Sequence, residues 1–110
     1  MALLANDKPY QAEVIATAGS FSLPIIIPGW VFEIVATAIP VGGGSATVFH
    51  TTDESTSVED DPGAANWVAW DEGAVTVITS QAAMGQVTAV RIQAVTQDAT
   101  LQVVGNRRRQ

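Results

Sequence analysis

Hydrophobic and polar positions alternate along most of this chain, and that alternation predicts β-strands. Turn-forming Gly, Pro, Asp and Ser residues separate the alternating segments at intervals of about eight to twelve residues. The pattern therefore predicts an all-β fold, an antiparallel β-sandwich of jelly-roll or Ig-like type with about seven or eight short strands. The predicted strand segments are residues 10–18, 20–23, 30–39, 46–52, 67–70, 74–80, 87–95 and 99–104.

The longest predicted strand, residues 30–39, is apolar on both faces except for Glu33. Such a strand lies centrally in a sheet, or packs one face on the core and the other on a partner. Strict alternation places four residues on one face: Phe32, Ile34, Ala36 and Ala38. It places five on the other: Val31, Glu33, Val35, Thr37 and Ile39.

Two pairs of neighbouring strands have the spacing of β-hairpins. Residues 87–95 and 99–104 are separated by a short turn, and residues 46–52 follow residues 30–39 after a glycine-rich connection. Between the strands, residues 53–63 are predicted to form a polar loop without regular structure, because they show no helical stripe.

The ends of the chain differ in composition from its centre. We divide the chain into an N-terminal arm (1–9), a sandwich domain (10–105) and a basic tail (106–110). The arm carries the apolar Leu3 and Leu4, and the tail carries Arg107, Arg108 and Arg109. We predict that both ends contact neighbouring subunits. The alternative for so short a tail is disorder, and an acidic loop of another copy or a nucleic-acid backbone would be its other partners.

The chain carries few charges, and most of them are acidic. Charged residues make up 15% of the sequence against 47% hydrophobic residues, and the net charge is −6. So few charges suggest that copies of the chain or a partner cover part of the surface; a surface rich in Thr, Ser, Gln and Ala is the alternative. The acidity argues against specific nucleic-acid binding. The short apolar runs predict no membrane-spanning segment.

Catalytic, metal and cofactor sites are not predicted. The sequence has no cysteine and therefore no disulfide or thiolate metal site. Its one histidine, His50, lies in mid-strand, where we expect a sheet residue and not a general base. The acids of residues 53–61 are expected to be solvated, with calcium binding as the alternative, although the spacing of an EF-hand is missing.

The tryptophans are candidates for a binding surface. Trp67 and Trp70 precede two acids, Asp71 and Glu72, and exposed aromatic rings of this kind stack on sugars. Tryptophans at such spacing more commonly anchor a core or an interface. We therefore assign Trp67 and Trp70 to a partner interface, together with Leu3, Leu4 and the three terminal arginines.

The end of the chain resembles a known group of proteins. Residues 85–105, Gly-Gln-Val-Thr-Ala-Val-Arg-Ile-Gln-Ala-Val-Thr-Gln-Asp-Ala-Thr-Leu-Gln-Val-Val-Gly, are similar to the last hairpin of many small virion proteins of tailed bacteriophages. The upstream block Trp-Val-Ala-Trp-Asp-Glu-Gly, residues 67–73, is of the same style. The resemblance implies a small β-sandwich present in many copies on a phage particle, as head decoration (cement) proteins are.

These observations predict a structural virion protein without enzymatic activity. We expect a capsid decoration protein that forms a homo-oligomer such as a trimer, binds the major capsid protein or another virion protein, and is assembled in the host cytoplasm. The alternative is a carbohydrate-binding or host-adhesion module of a tail or fibre.

Overall fold

Eight antiparallel strands form two packed four-stranded sheets in the computed structural model, which describes residues 10–82 and 87–107. The all-β sandwich predicted from the sequence is therefore confirmed. A short helix, α1 (Ser55–Asp60), and a 3₁₀ turn (Pro62–Ala64) lie between the fourth and fifth strands. The strands are β1 (Tyr10–Ala16), β2 (Ile25–Ile26), β3 (Val31–Pro40), β4 (Ala46–Thr51), β5 (Val68–Ala69), β6 (Thr79–Ala82), β7 (Ala89–Ala94) and β8 (Ala99–Arg107).

The chain crosses from one sheet to the other after almost every strand. Sheet 1 has the order β1-β8-β3-β6, and sheet 2 has the order β2-β7-β4-β5. Only the connection from β4 to β5 stays within one sheet. Eight strands in these two interleaved orders form a jelly roll, one of the two sandwich types that the sequence predicted.

Both predicted hairpins are wrong, because their strands lie in opposite sheets. β7 pairs with β4 and β2, while β8 pairs with β1 and β3. The loop between β7 and β8 forms hydrogen bonds with the loop between β3 and β4. Val95 N–H donates to the Ser45 carbonyl at 3.0 Å, and Val41 N–H donates to the Asp98 carbonyl at 3.0 Å. These bonds hold β7 and β8 apart, across the core.

A β-bulge changes which residues of β3 face the core. The register with β8 shifts between Phe32 and Ile34, and Glu33 has a φ of 54°, in the left-handed region. As a result Val31 is buried on the same side as Ile34, Ala36 and Ala38. The strict alternation expected from the sequence placed Val31 on the opposite face and was wrong there.

Small and β-branched side chains fill the space between the sheets. Their burial supplies the main driving force for folding, roughly 25 cal/mol for each Å² of apolar surface removed from water. The residues with almost no exposure include Ala38, Val48, Val90, Ile92, Leu101 and Val103.

Residues 53–63 are not the structureless loop that their polarity predicted. Val58 is the one apolar side chain of α1, and it is completely buried. The Asp53 carboxylate accepts a hydrogen bond of 2.8 Å from the Asn66 backbone N–H and so ties the two ends of the segment together. One apolar residue in a six-residue segment is too weak a pattern to identify a helix from sequence, and the Asp53–Asn66 hydrogen bond has no sequence pattern.

Two other predicted strands are shorter than expected. Within residues 74–80, Val75 forms one isolated bridge with Ala46, and the regular strand β6 begins only at Thr79. Within residues 20–23, Phe21 forms one isolated bridge with Gln93. At the other end of the chain, β8 continues to Arg107, two residues beyond the predicted end of the sandwich.

Candidate functional site

The outer face of sheet 2 holds an arginine between two aromatic rings. Val90 and Ile92 point into the core from β7, so the alternation of the strand turns Arg91 outward. The Arg91 guanidinium carbon lies 3.9 Å from the centre of the Phe21 ring and 4.4 Å from the centre of the Trp67 ring. Phe49, opposite Arg91 on β4, packs edge-on against Phe21 with 5.7 Å between ring centres. We call Phe21, Phe49, Trp67 and Arg91 the arginine cluster.

Elements distant in sequence position the two rings. The isolated bridge between Phe21 and Gln93 holds Phe21 beside β7. The indole N–H of Trp67 donates a 2.8 Å hydrogen bond to the carbonyl of Pro62, so the 3₁₀ turn fixes the orientation of the indole. Arg91 and Phe49 thus lie in strands, while one backbone bridge and one side-chain hydrogen bond hold Phe21 and Trp67 beside them.

Arg91 has no ion pair with any described residue. Its Nε is buried and has no hydrogen-bond partner among the described residues. Burial lowers the pKa of the Arg91 guanidinium, but arginine remains charged at neutral pH. The aromatic faces stabilise this cation by cation–π interaction, in which Trp is the strongest partner. Stacking does not satisfy the N–H donors, and Nη1 and Nη2 form no hydrogen bond with a described residue.

Three exposed acids precede Trp67 in the sequence, and a hydrogen bond from the Trp67 indole holds the residue that follows them. Glu59 and Asp60 end α1, and Asp61 directly precedes Pro62, the residue that binds the Trp67 indole. None of these acids pairs with a basic side chain within the described ranges. No group of three or more His, Cys, Asp or Glu that could hold a metal ion occurs in the part of the chain that the structure describes.

The outer face of sheet 1 has few charges. The outward positions of its strands meet in cross-strand rows, such as Val104 beside Val35 and Gln102 beside Thr37. The strands of sheet 1 carry two exposed charged side chains among those described: Glu13, which accepts a 2.8 Å hydrogen bond from Gln102, and Glu33 at the bulge. Exposed apolar side chains lie among the polar ones, with Val35 and Val104 about two-fifths exposed and Ile15 more than half. Beside Glu33, the described outward positions are Gln11, Glu13, Ile15, Val35, Thr37, Ile39, Ser80, Ala82, Thr100, Gln102, Val104 and Asn106.

A cavity of about 180 Å³ lies between the two sheets and includes His50 in its lining. The His50 Nδ1 is buried and has no partner among the described residues, and no described Ser or Thr hydroxyl hydrogen-bonds to the ring. Trp70 and Asp71 line the same cavity. His50 is thus a half-buried sheet residue, not one hydrogen-bonded to a described nucleophile.

The two tryptophans predicted to form one interface occupy different environments. Trp70 is only 6% exposed, belongs to the core, and donates its indole N–H to the Gly73 carbonyl at 2.8 Å. Trp67 is half-buried and packs on Arg91. The two rings therefore do not form a shared sugar-stacking platform, and Trp70 has almost no surface to offer a partner.

The other predicted interface residues lie at the ends of the chain. Arg107 is the last residue of β8, where its backbone pairs with Val31. Leu3, Leu4, Arg108 and Arg109 lie outside the described residues. The prediction that these residues contact neighbouring subunits stays a prediction.

Sequence reasoning missed Phe21, Phe49 and Arg91 as members of a site. One signal was available: Arg91 is the only Lys or Arg between Lys8 and Arg107, and it occupies an outward position in a clearly alternating strand. The contacts with Phe21 and Trp67 depend on the sheet order, which the sequence did not predict.

Comparisons with known proteins found no matching family model, no matching curated protein and no matching solved structure. Among the described residues, no helix is long and apolar enough to cross a membrane.

Proposed function

We propose that this chain is a non-enzymatic structural protein of a phage particle, a decoration or cement protein that binds the particle through the outer face of sheet 1. The observation that carries the proposal is the character of this face. A four-stranded sheet presents Ile15, Val35 and Val104 to solvent, with Glu13 and Glu33 as the exposed charges on its described strand residues. Exposed apolar surface of this kind favours a protein partner.

The resemblance of residues 67–73 and 85–105 to small virion proteins of tailed phages supplies the identity of that partner. The jelly-roll order supports the same proposal by analogy of fold alone, since viral capsid domains commonly use it. The partner is a virion protein, such as the major capsid protein, that presents a complementary apolar surface.

Carbohydrate binding is the weaker candidate. The jelly roll also occurs in lectins, but a sugar platform of Trp67 and Trp70 requires both rings to be accessible. Trp70 is buried in the core, and one face of Trp67 already packs on Arg91. No observation on the described residues favours this alternative over a structural role.

An add-back experiment tests the proposed surface. Particles from a phage lacking the gene for this chain are incubated with purified protein, and the bound copies are counted by quantitative mass spectrometry. We expect wild type to bind in many copies, and Val35→Glu/Val104→Glu to bind at least about tenfold more weakly, because two carboxylates would be buried in an apolar contact.

The matched control is Val68→Glu/Val95→Glu, which places the same two charges on exposed valines in β5 and directly after β7, both strands of sheet 2. This control should bind as wild type does. Equal binding by both double variants would rule out the sheet 1 face as the contact, and no binding by folded wild-type protein would contradict the proposed function itself.

A further inference from the structure

Arg91 has unused hydrogen-bonding capacity in a fixed orientation. Phe21 and Trp67 pack on its guanidinium with the carbon within 4.4 Å of both ring centres. These rings stabilise the cation but supply no oxygen or nitrogen acceptor for its N–H groups. Nε is buried, so the terminal pair, Nη1 and Nη2, forms the edge available to a ligand. No described residue accepts a hydrogen bond from that edge.

The chemistry of this edge selects a carboxylate. Two parallel N–H donors match the two oxygens of a carboxylate, and charge-assisted bidentate pairs of this type are among the strongest hydrogen bonds in proteins. A phosphate has the same spacing but carries more charge. Arg91 lies in a chain of net charge −6, and Glu59, Asp60 and Asp61 precede its partner Trp67 by only a few residues. A singly charged carboxylate is therefore the better match.

The chain itself carries suitable carboxylates. Glu59, Asp60 and Asp61 are exposed and unpaired within the described ranges. They are connected to the arginine cluster through the Trp67–Pro62 hydrogen bond, but none of them forms an ion pair with Arg91 of the same molecule. The described part of the protein thus offers both an unpaired cation and unpaired anions, and such groups can pair between two copies.

We propose that Arg91 binds a carboxylate side chain that a second copy of this chain supplies from residues 59–61. The inference rests on the proposed function in one respect, that copies of the chain meet on the particle. It assigns the contact between copies to the outer face of sheet 2, while the outer face of sheet 1 binds the particle. Phe21 and Trp67 orient the guanidinium and exclude water from one side of the ion pair.

Sedimentation velocity on the full chain tests the contact. Wild type is expected to self-associate at about 0.01 M salt and to dissociate at about 1 M, where the Debye length falls from about 30 Å to about 3 Å. Arg91→Gln should raise the dissociation constant at least about tenfold, because it removes the charge and the bidentate geometry. Arg91→Lys keeps the charge and should lie between the two.

A mixing experiment shows whether the pair forms between molecules. The acid-neutral variant Glu59→Gln/Asp60→Asn/Asp61→Asn keeps Arg91, while Arg91→Gln keeps the acids. Each variant alone should remain monomeric where wild type associates, and their equimolar mixture should regain association, because one complete arginine–carboxylate contact forms between unlike copies. Glu13→Gln/Asp71→Asn/Glu72→Gln neutralises the same number of acids elsewhere and should associate at least as well as wild type.

Near-UV circular dichroism of each variant establishes that it is folded. A wild-type chain that is monomeric under all these conditions, or a mixture that associates no better than its components, would overturn the proposal. Association that is lost in Val35→Glu/Val104→Glu and retained in Arg91→Gln would also overturn it, because sheet 1 would then be the contact between copies. Particle binding in the add-back experiment is measured separately, so this inference can fail while the proposed function stands.

Discussion

At the residue scale, two positions in this protein are decided by very local surroundings. Tyr10 begins the edge strand β1, its hydroxyl donates to the Ile26 carbonyl at 3.4 Å, and its ring packs edge-on against Trp30. Gly105 lies in β8 and pairs with Ile34 of β3, directly beside the β-bulge. In each case a single atom, the phenolic proton or an added Cβ, is expected to change the free energy of unfolding.

Tyr10 makes the protein less stable at alkaline pH. Burial raises the pKa of the Tyr10 hydroxyl above its ordinary value of 10.0, so the folded state holds the phenolic proton more tightly than the unfolded state does. The contribution of Tyr10 is complete below pH 10.0 and is lost as the pH rises through the folded pKa. The free energy of unfolding, measured with urea from pH 8 to pH 11, should therefore fall as the pH rises. Tyr10→Phe should show a smaller decline, and identical slopes for the two proteins would contradict this account.

Gly105 is required because side chains of β3 occupy the space that a larger residue would need. A Cβ at this position would lie 2.5 Å from Val31 Cγ1 and 3.0 Å from Ile34 Cγ2. Gly105→Ala should destabilise the fold by about 1–3 kcal/mol through overpacking. Gly29→Ala, where no atom lies within 4 Å of the added Cβ, is the matched control. Chemical denaturation should find the control neutral or slightly stabilised; equal losses for both variants would show that the bulge does not restrict position 105.

At the scale of elements, alternation predicted the strands well but not their partners. A period of two along residues 87–95 and 99–104 puts Val90 with Ile92, and Leu101 with Val103, on one face of each strand, and all four are buried. It could not show that β7 and β8 enter different sheets, because that depends on hydrogen bonds between distant connections, such as Val41 with Asp98. The bulge at Glu33 could not be predicted from the sequence either, because it is a shift in the register between β3 and β8.

Helix α1 buries one side chain, Val58. A six-residue helix is too short to be stable by itself in water, so tertiary packing must hold it. Val58→Ala should cost about 1–3 kcal/mol in the free energy of unfolding and increase amide hydrogen exchange across α1. Val77→Ala, at a well exposed valine, should change stability by less than about 0.5 kcal/mol. Unchanged exchange in Val58→Ala would mean that other contacts hold the helix.

At the scale of the whole molecule, the two outer faces of the sandwich differ in chemistry. Sheet 1 presents the exposed Ile15, Val35 and Val104 among uncharged polar residues and two acids, Glu13 and Glu33, and sheet 2 presents the arginine cluster. A protein with two such faces can attach to a particle by one and to its neighbours by the other. The sequence indicated an assembling protein through its low charge, but the assignment of these roles to faces required the sheet order.

The central claim is that this chain is a structural component of a phage particle, and the copy number in purified particles tests it most directly. Particles of the phage that encodes the chain are purified on a density gradient, and quantitative mass spectrometry measures the ratio of this chain to the major capsid protein. A decoration protein should be present in many copies, at a fixed ratio to the capsid protein that does not change between preparations. A chain that is missing from purified particles, or that is present in only trace and variable amounts, would contradict the account.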